Sequence, residues 1–312
     1  MIPFLGEIFA LFAAFCYAFG SVAATKNARE NNGRGNAVLL SIVMTAVFSA
    51  GLWAVIGPPA PSLDADFWIG AAWFVLAGVL ATILGRFLFF RSIDLAGAIE
   101  TGLIRRLIPV FATTLAILIL GEVITMQIGL AFLLVFSGVA VVVFASPHRL
   151  GPALHADAVR DAKTRMTGRG LALGSAVCYG GSYTVRKFAM QYLPDPLAGA
   201  FIGAVTGMAW FAVAAPFSAS YRRQVAQLFI KPAPWQVVAA ASISLGQMAQ
   251  FMALRHTTVT VVAIIGTIEM FFAAWLAAFV VKTEARPGIR FIIASLLAMS
   301  GVIVLALARA PT

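Results

Sequence analysis

The sequence predicts an all-α integral membrane protein with ten transmembrane helices, built as two inverted five-helix repeats. Three observations carry that prediction. Hydrophobic residues fill 61% of the 312 positions and charged residues only 11%, against roughly a quarter charged in a soluble domain. The apolar residues fall in runs of about 20, long enough to cross the hydrocarbon as helices; an outer-membrane barrel would show ~10-residue alternating segments. Landmarks also recur in order. Cys16-Tyr17 returns as Cys178-Tyr179 at an offset of 162, Glu122 as Glu284 at the same offset, and Ser137-Gly138-Val139 as Ser300-Gly301-Val302 at 163. An odd number of spans in each copy turns the second upside down relative to the first.

The first five spans are expected at 2–24, 37–56, 67–90, 96–120 and 126–145. The first starts without a basic n-region, so it reads as a span and not as a cleavable signal. Asn31-Asn32-Gly33 and Gly57-Pro58-Pro59 are the turns around the second. The second five spans are expected at 171–190, 196–217, 235–254, 259–281 and 289–308, with Leu193-Pro194-Asp195-Pro196 as a further turn. The domain organisation is then a first repeat at 1–146, a polar linker at 147–169 and a second repeat at 170–312.

Two cysteines cannot make a disulfide framework; Cys16 and Cys178 read as small packing residues at helix contacts. The net charge of +10 comes mostly from loops, so it reports membrane orientation and not a nucleic-acid partner. Most Lys and Arg fall on the linker side, which by the positive-inside rule puts the linker in the cytoplasm and both termini outside. No Gly-rich phosphate loop, metal-spaced cluster or nucleophile–base pair is present, so no cofactor, no metal and no enzymatic activity are expected. His148 and His155 lie in the linker, away from any ligand set.

The fourth run contains Ile108-Pro109-Val110-Phe111-Ala112 and ends Ile117-Leu118-Ile119-Leu120-Gly121-Glu122. This closely resembles the EamA repeat of the drug/metabolite transporter superfamily. In the second half Phe271-Phe272-Ala273-Ala274, then Lys282-Thr283-Glu284, matches more loosely, with Phe271 where Pro is usual. The resemblance implies ten helices in two EamA repeats, transport without chemistry, and both termini in the cytoplasm, opposite to the charge count.

Charged residues inside the apolar runs are costly, at ~2.5–3.5 kcal/mol each on insertion scales. They therefore mark candidate sites. Arg86 lies on the third span; Glu100, Arg105 and Arg106 lie on the fourth. Arg105 and Arg106 are neighbours and point ~100° apart, so they cannot both line one narrow cavity. At an offset of 164, Gln250 takes the place of Arg86 in the second half. Ser244, Gln247 and Gln250 form one stripe, and Ser175, Tyr179, Ser182 and Arg186 another. The substrate-binding candidates are Arg86, Arg105, Arg106, Tyr179, Gln247 and Gln250. Glu100 and Glu269 are the proton-coupling candidates. Other readings stay open: Glu100 and Arg105 snorkelling to the interface, the stripes holding helices together, and Glu269 paired with an arginine. Glu122 and Glu284 read as structural carboxylates at helix N-termini, and Pro109 as a kink inside the span, either tolerated or loosening the helix beside a cavity.

The expected function is a secondary active transporter, an exporter, for a small organic metabolite that is carboxylate-bearing or amino-acid-like. It would act by alternating access of the two repeats in the cell (inner) membrane. The alternative is a flippase for an anionic lipid or lipid-linked phosphate; a receptor or assembly subunit is the non-transport reading. Expected partners are the small-molecule substrate and the lipid bilayer, with the chain a monomer or homodimer.

Overall fold

The computed structural model describes residues 4–30, 37–58, 63–144, 162–282 and 288–307. The linker histidines, Glu284 and the turn at Asn31-Asn32-Gly33 lie outside them. All regular structure among the described residues is helical. In chain order the helices are α1 (Leu5–Glu30), α2 (Ala37–Ile56), α3 (Ala65–Gly78), α4 (Arg86–Ala96), α5 (Ala98–Arg105), α6 (Ile108–Leu120) and α7 (Met126–Phe144). They continue as α8 (Ala162–Tyr192), α9 (Pro196–Ala214), α10 (Ala219–Gln227), α11 (Pro234–His256), α12 (Val259–Gly266), α13 (Glu269–Trp275) and α14 (Ile289–Leu307). A π-helical turn, Val79–Gly85, joins α3 to α4, and another, Leu276–Val280, follows α13. Eight helical segments are long and apolar enough to cross a membrane, and Met126–Val141 is a shorter apolar one.

The termini of these elements differ from the sequence expectation for identifiable reasons. The first helix runs past its apolar stretch to Glu30, where Lys26 and Glu30 pair at 3.7 Å one turn apart. The run expected as one helix at 96–120 is broken twice. Gly97 takes φ 89, a conformation glycine adopts without a Cβ clash, and a two-residue turn at Arg106–Leu107 separates α5 from α6. Pro109 therefore sits in the first turn of α6, where its missing N–H has no intrahelical partner to lose. It starts a helix and does not kink one. The ninth run breaks at the matching place, Thr267–Ile268, without any proline. The α8 helix begins at Ala162, inside the segment expected as a polar linker.

By internal packing the chain forms two compact units. The first comprises Met1–Val79, Val185–Thr257 and Ile268–Pro287; the second comprises Leu80–Thr184, Thr258–Thr267 and Gly288–Thr312. Each draws segments from both halves of the sequence.

In the first unit α1 packs along α11 at very short range, because small residues line both surfaces. Gly20 lies against Ala239 and Ile243, and Gly246 against Ala13, Cys16 and Tyr17. Cys16 is thus buried at this contact. Phe74 and Phe251 meet at 5.9 Å beside Gly199 of α9, where a Cβ would sit 2.6 Å from the Phe74 ring.

In the second unit α7 packs on α14. A Cβ on Gly138 would lie 2.6 Å from the Ala294 carbonyl oxygen and 3.2 Å from the Ala298 nitrogen. A Cβ on Gly301 would lie 2.7 Å from Val135 Cγ2 and 2.9 Å from the Ala131 carbonyl oxygen. These contacts are reciprocal: residues 131, 135 and 138 correspond to 294, 298 and 301 at the offset of the repeat. Self-complementary packing of this kind marks a local two-fold axis.

The helix-end landmarks are asymmetric. Gly121 closes α6 at φ 67, its N–H on Ile117 O as in an αL cap, and the Glu122 N–H bonds Ala116 O. In the second half the left-handed position falls on Lys282, φ 54.

Candidate functional site

In the second unit, α4 opens at Arg86, directly after the π-helical turn. Such a turn disturbs the regular ladder, and the Gly85 carbonyl accepts a hydrogen bond from Ser175 Oγ of α8 at 2.7 Å. One turn along α8, the Tyr179 ring covers Gly85; a Cβ there would lie 3.1 Å from Tyr179 Cε2. The guanidinium of Arg105 lies 4.3 Å from the Phe89 ring centroid and 5.0 Å from that of Tyr179. Phe89 is one turn after Arg86. Four elements (the π-helical turn, α4, α5 and α8) thus bring Arg86, Phe89, Arg105 and Tyr179 to one place.

The electrostatics of this cluster are one-sided. Among the described residues neither Arg86 nor Arg105 has an ion pair. Arg86 Nη1 and Arg105 Nε are buried without a hydrogen-bond partner, as is Thr101 Oγ1 one turn before Arg105. A desolvated donor left unpaired costs about 1–3 kcal/mol, more when charged. The aromatic faces offset part of this through cation–π attraction. What the arrangement lacks is an acceptor, and a carboxylate presents two oxygens in the geometry of a guanidinium fork.

Arg106 falls in the turn after α5 and is exposed, whereas Arg105 is half-buried. Glu100 is held elsewhere. Its carboxylate accepts from Arg169 Nε at 2.8 Å and Nη2 at 3.0 Å, and from Arg165 Nη2. Arg165 and Arg169 lie one turn apart on the first part of α8. These bonds tie α8 to the start of α5 and account for helix where polar linker was expected.

Glu122 does cap a helix N-terminus, but not that of the helix that follows it in sequence. Its carboxylate accepts from Val259 N at 2.6 Å, Thr260 N at 3.1 Å and Thr260 Oγ1 at 2.8 Å, at the start of α12.

In the first unit the glutamines of α11 act between helices. Tyr17 Oη donates to Gln247 Oε1 at 2.7 Å, and Arg186 Nη1 donates to Gln250 Oε1 at 2.6 Å. The Arg186 guanidinium lies 4.7 Å from the Phe251 ring centroid and the residue is buried. Ser244 Oγ donates to Ser41 O at 2.8 Å. The paired tyrosines of the repeat therefore serve different chemistry: Tyr17 a glutamine, Tyr179 a guanidinium. Glu269 is the first residue of α13, directly after the break at Thr267–Ile268.

Sequence reasoning missed Glu7 and Lys187. Glu7 is only 6% exposed and accepts from Thr257 Oγ1 at 3.1 Å. Lys187 Nζ donates to Leu254 O at 2.6 Å and Thr257 O at 3.1 Å, capping the C-terminus of α11. The one available signal for Glu7 was a lone carboxylate at the head of an apolar run.

No curated protein matches the sequence. A solved crystal structure matches with a TM-score of 0.70 over 98% of this chain and 98% of its own, at 15% identity, a likeness of fold. The model of the EamA-like transporter family matches twice, over residues 4–144 and 166–307. The two matches cover both repeats read from the sequence and nearly all of the apolar helices, and on that evidence this multi-pass membrane protein belongs to the EamA-like transporter family.

Proposed function

We propose that the protein is a secondary active transporter, an exporter of a small carboxylate-bearing or amino-acid-like metabolite. The observation that carries this reading is the pair Arg86 and Arg105, with buried guanidinium nitrogens that have no partner among the described residues. A bound carboxylate would satisfy both while the Phe89 and Tyr179 rings hold Arg105 in position. In this reading the chain has ten spans: the eight long apolar segments, α7, and α8, which carries more Gly, Ser, Thr and Tyr than the others. Alternating access of the repeats 1–146 and 170–312, joined through 147–169 in the inner membrane, moves the substrate. Glu269, at a helix break inside the ninth span, carries the coupling proton. Glu100 is engaged by two arginines, which favours a structural role for it.

The test begins with thermal stabilisation of the purified protein across a metabolite library, where a ligand at 100 times its Kd adds about 2.7 kcal/mol. Hits are reconstituted in proteoliposomes with Arg86→Gln and Arg105→Gln. Carboxylate hits whose transport falls at least tenfold in both variants support the proposal. Undiminished transport in both, or stabilisation only by cations, overturns it; movement of a lipid-linked phosphate alone makes the protein a flippase.

A further inference from the structure

The segment between α9 and α11 contains, among the described residues, no helix long enough to cross a membrane. Its α10 helix is anchored by Tyr221, whose ring meets Phe211 at 5.2 Å and Trp210 at 6.2 Å, both edge to face. Around that anchor the segment exposes large apolar side chains: Phe217 and Phe229 are each 88% exposed. Arg222, Arg223 and Lys231 are exposed on the same segment. No Asp or Glu occurs between Asp195 and Glu269, and none of the three cations has an ion pair among the described residues.

Beside α10 lies a shallow depression lined by Gln224, Gln227 and Gln236 and by Leu40, Leu228 and Pro232. It ends at the N-terminus of α11, where Ala233 supplies no side-chain cap and the helix dipole favours an anion. A positive helix end, three cations without an ion pair among the described residues, and protruding aromatic rings lie within one short segment. Exposed rings beside cations suit the boundary between acyl chains and headgroups.

We propose that this segment is a binding site for anionic phospholipid. The phosphate would lie beside Arg222, Arg223 and Lys231, with Phe217 and Phe229 among the acyl chains. A zwitterionic headgroup offers no net charge to these cations. Anionic lipid is the occupant that the uncompensated charge selects.

The test is native mass spectrometry of the full-length protein in detergent, titrated with phosphatidylglycerol or phosphatidylcholine. The variants are Arg222→Gln/Arg223→Gln/Lys231→Gln and a Lys-retaining control, Arg222→Lys/Arg223→Lys. Wild type and control should hold phosphatidylglycerol in preference to phosphatidylcholine. The triple variant should need on the order of tenfold more phosphatidylglycerol for equal occupancy, with an unchanged melting profile. Equal binding of both lipids by wild type, or undiminished phosphatidylglycerol on a folded triple variant, overturns the proposal. So does a lipid-free dimer in which Phe229 becomes buried, which would assign this face to a second copy of the chain.

Discussion

Arg105 rests its guanidinium on the ring of Tyr179, 5.0 Å from the centroid, and so converts a flexible cation into a fixed one. Tyr179→Phe keeps the ring and should leave transport within about twofold. Tyr179→Ala removes one of two faces, each worth about 0.5–2 kcal/mol, and should lower transport roughly three- to thirtyfold. Arg105→Lys keeps the charge but not the planar fork and should resemble Tyr179→Ala. Initial rates in proteoliposomes, compared at matched protein incorporation, check all three.

Glu100→Gln leaves Arg165 and Arg169 without their shared anion. All three side chains are partly exposed, so the loss is small and salt-sensitive. The melting temperature should drop by roughly 2 °C at low salt and converge on wild type near 1 M salt. Transport should persist.

Gly138→Ala and Gly301→Ala each push a methyl group into backbone or a packed side chain across α7 and α14. Overpacking of this kind costs about 1–3 kcal/mol. Because the two positions face each other reciprocally, their melting temperatures should fall by similar amounts, and the double variant should fall by less than the sum. Thermal melts of the three variants decide it.

Glu122→Ala removes the acceptor for two backbone N–H groups at the start of α12. The loss should be about 1–2 kcal/mol, in the range of a deleted N-cap. Glu122→Gln keeps an oxygen acceptor and should recover part of it. Hydrogen exchange at Val259 and Thr260 should rise in the alanine variant.

Glu269→Gln should flatten the pH dependence of net transport while leaving substrate exchange. Glu7→Gln, which alters a buried bond to Thr257, should leave the pH profile unchanged and lower stability. Paired pH–rate curves for net flux and exchange separate the two carboxylates.

Most of the fold was legible in the sequence because burying a span requires an apolar run, and a run is visible. The helix breaks were less so. Pro109 marks the first but starts a helix there, and the break at Thr267–Ile268 carries no proline. The arginines stood out by their cost in hydrocarbon. The partners of Glu100 did not, because the hydrogen bonds from Arg165 and Arg169 to it close loops of 65 and 69 residues, which no local pattern encodes. The same holds for Glu122: a carboxylate after a helix end suggests a cap, but only tertiary structure selects α12 over the next helix in sequence.

The reciprocal seating of Gly138 against Ala298 and of Gly301 against Val135 bears on ancestry. Two separate copies of a half-length chain, inserted in opposite directions, would make the same contact with no linker between them. Fusion into one gene would then add no new interface. It would free each copy to diverge, so that one could acquire Arg86 while its counterpart kept Gln250.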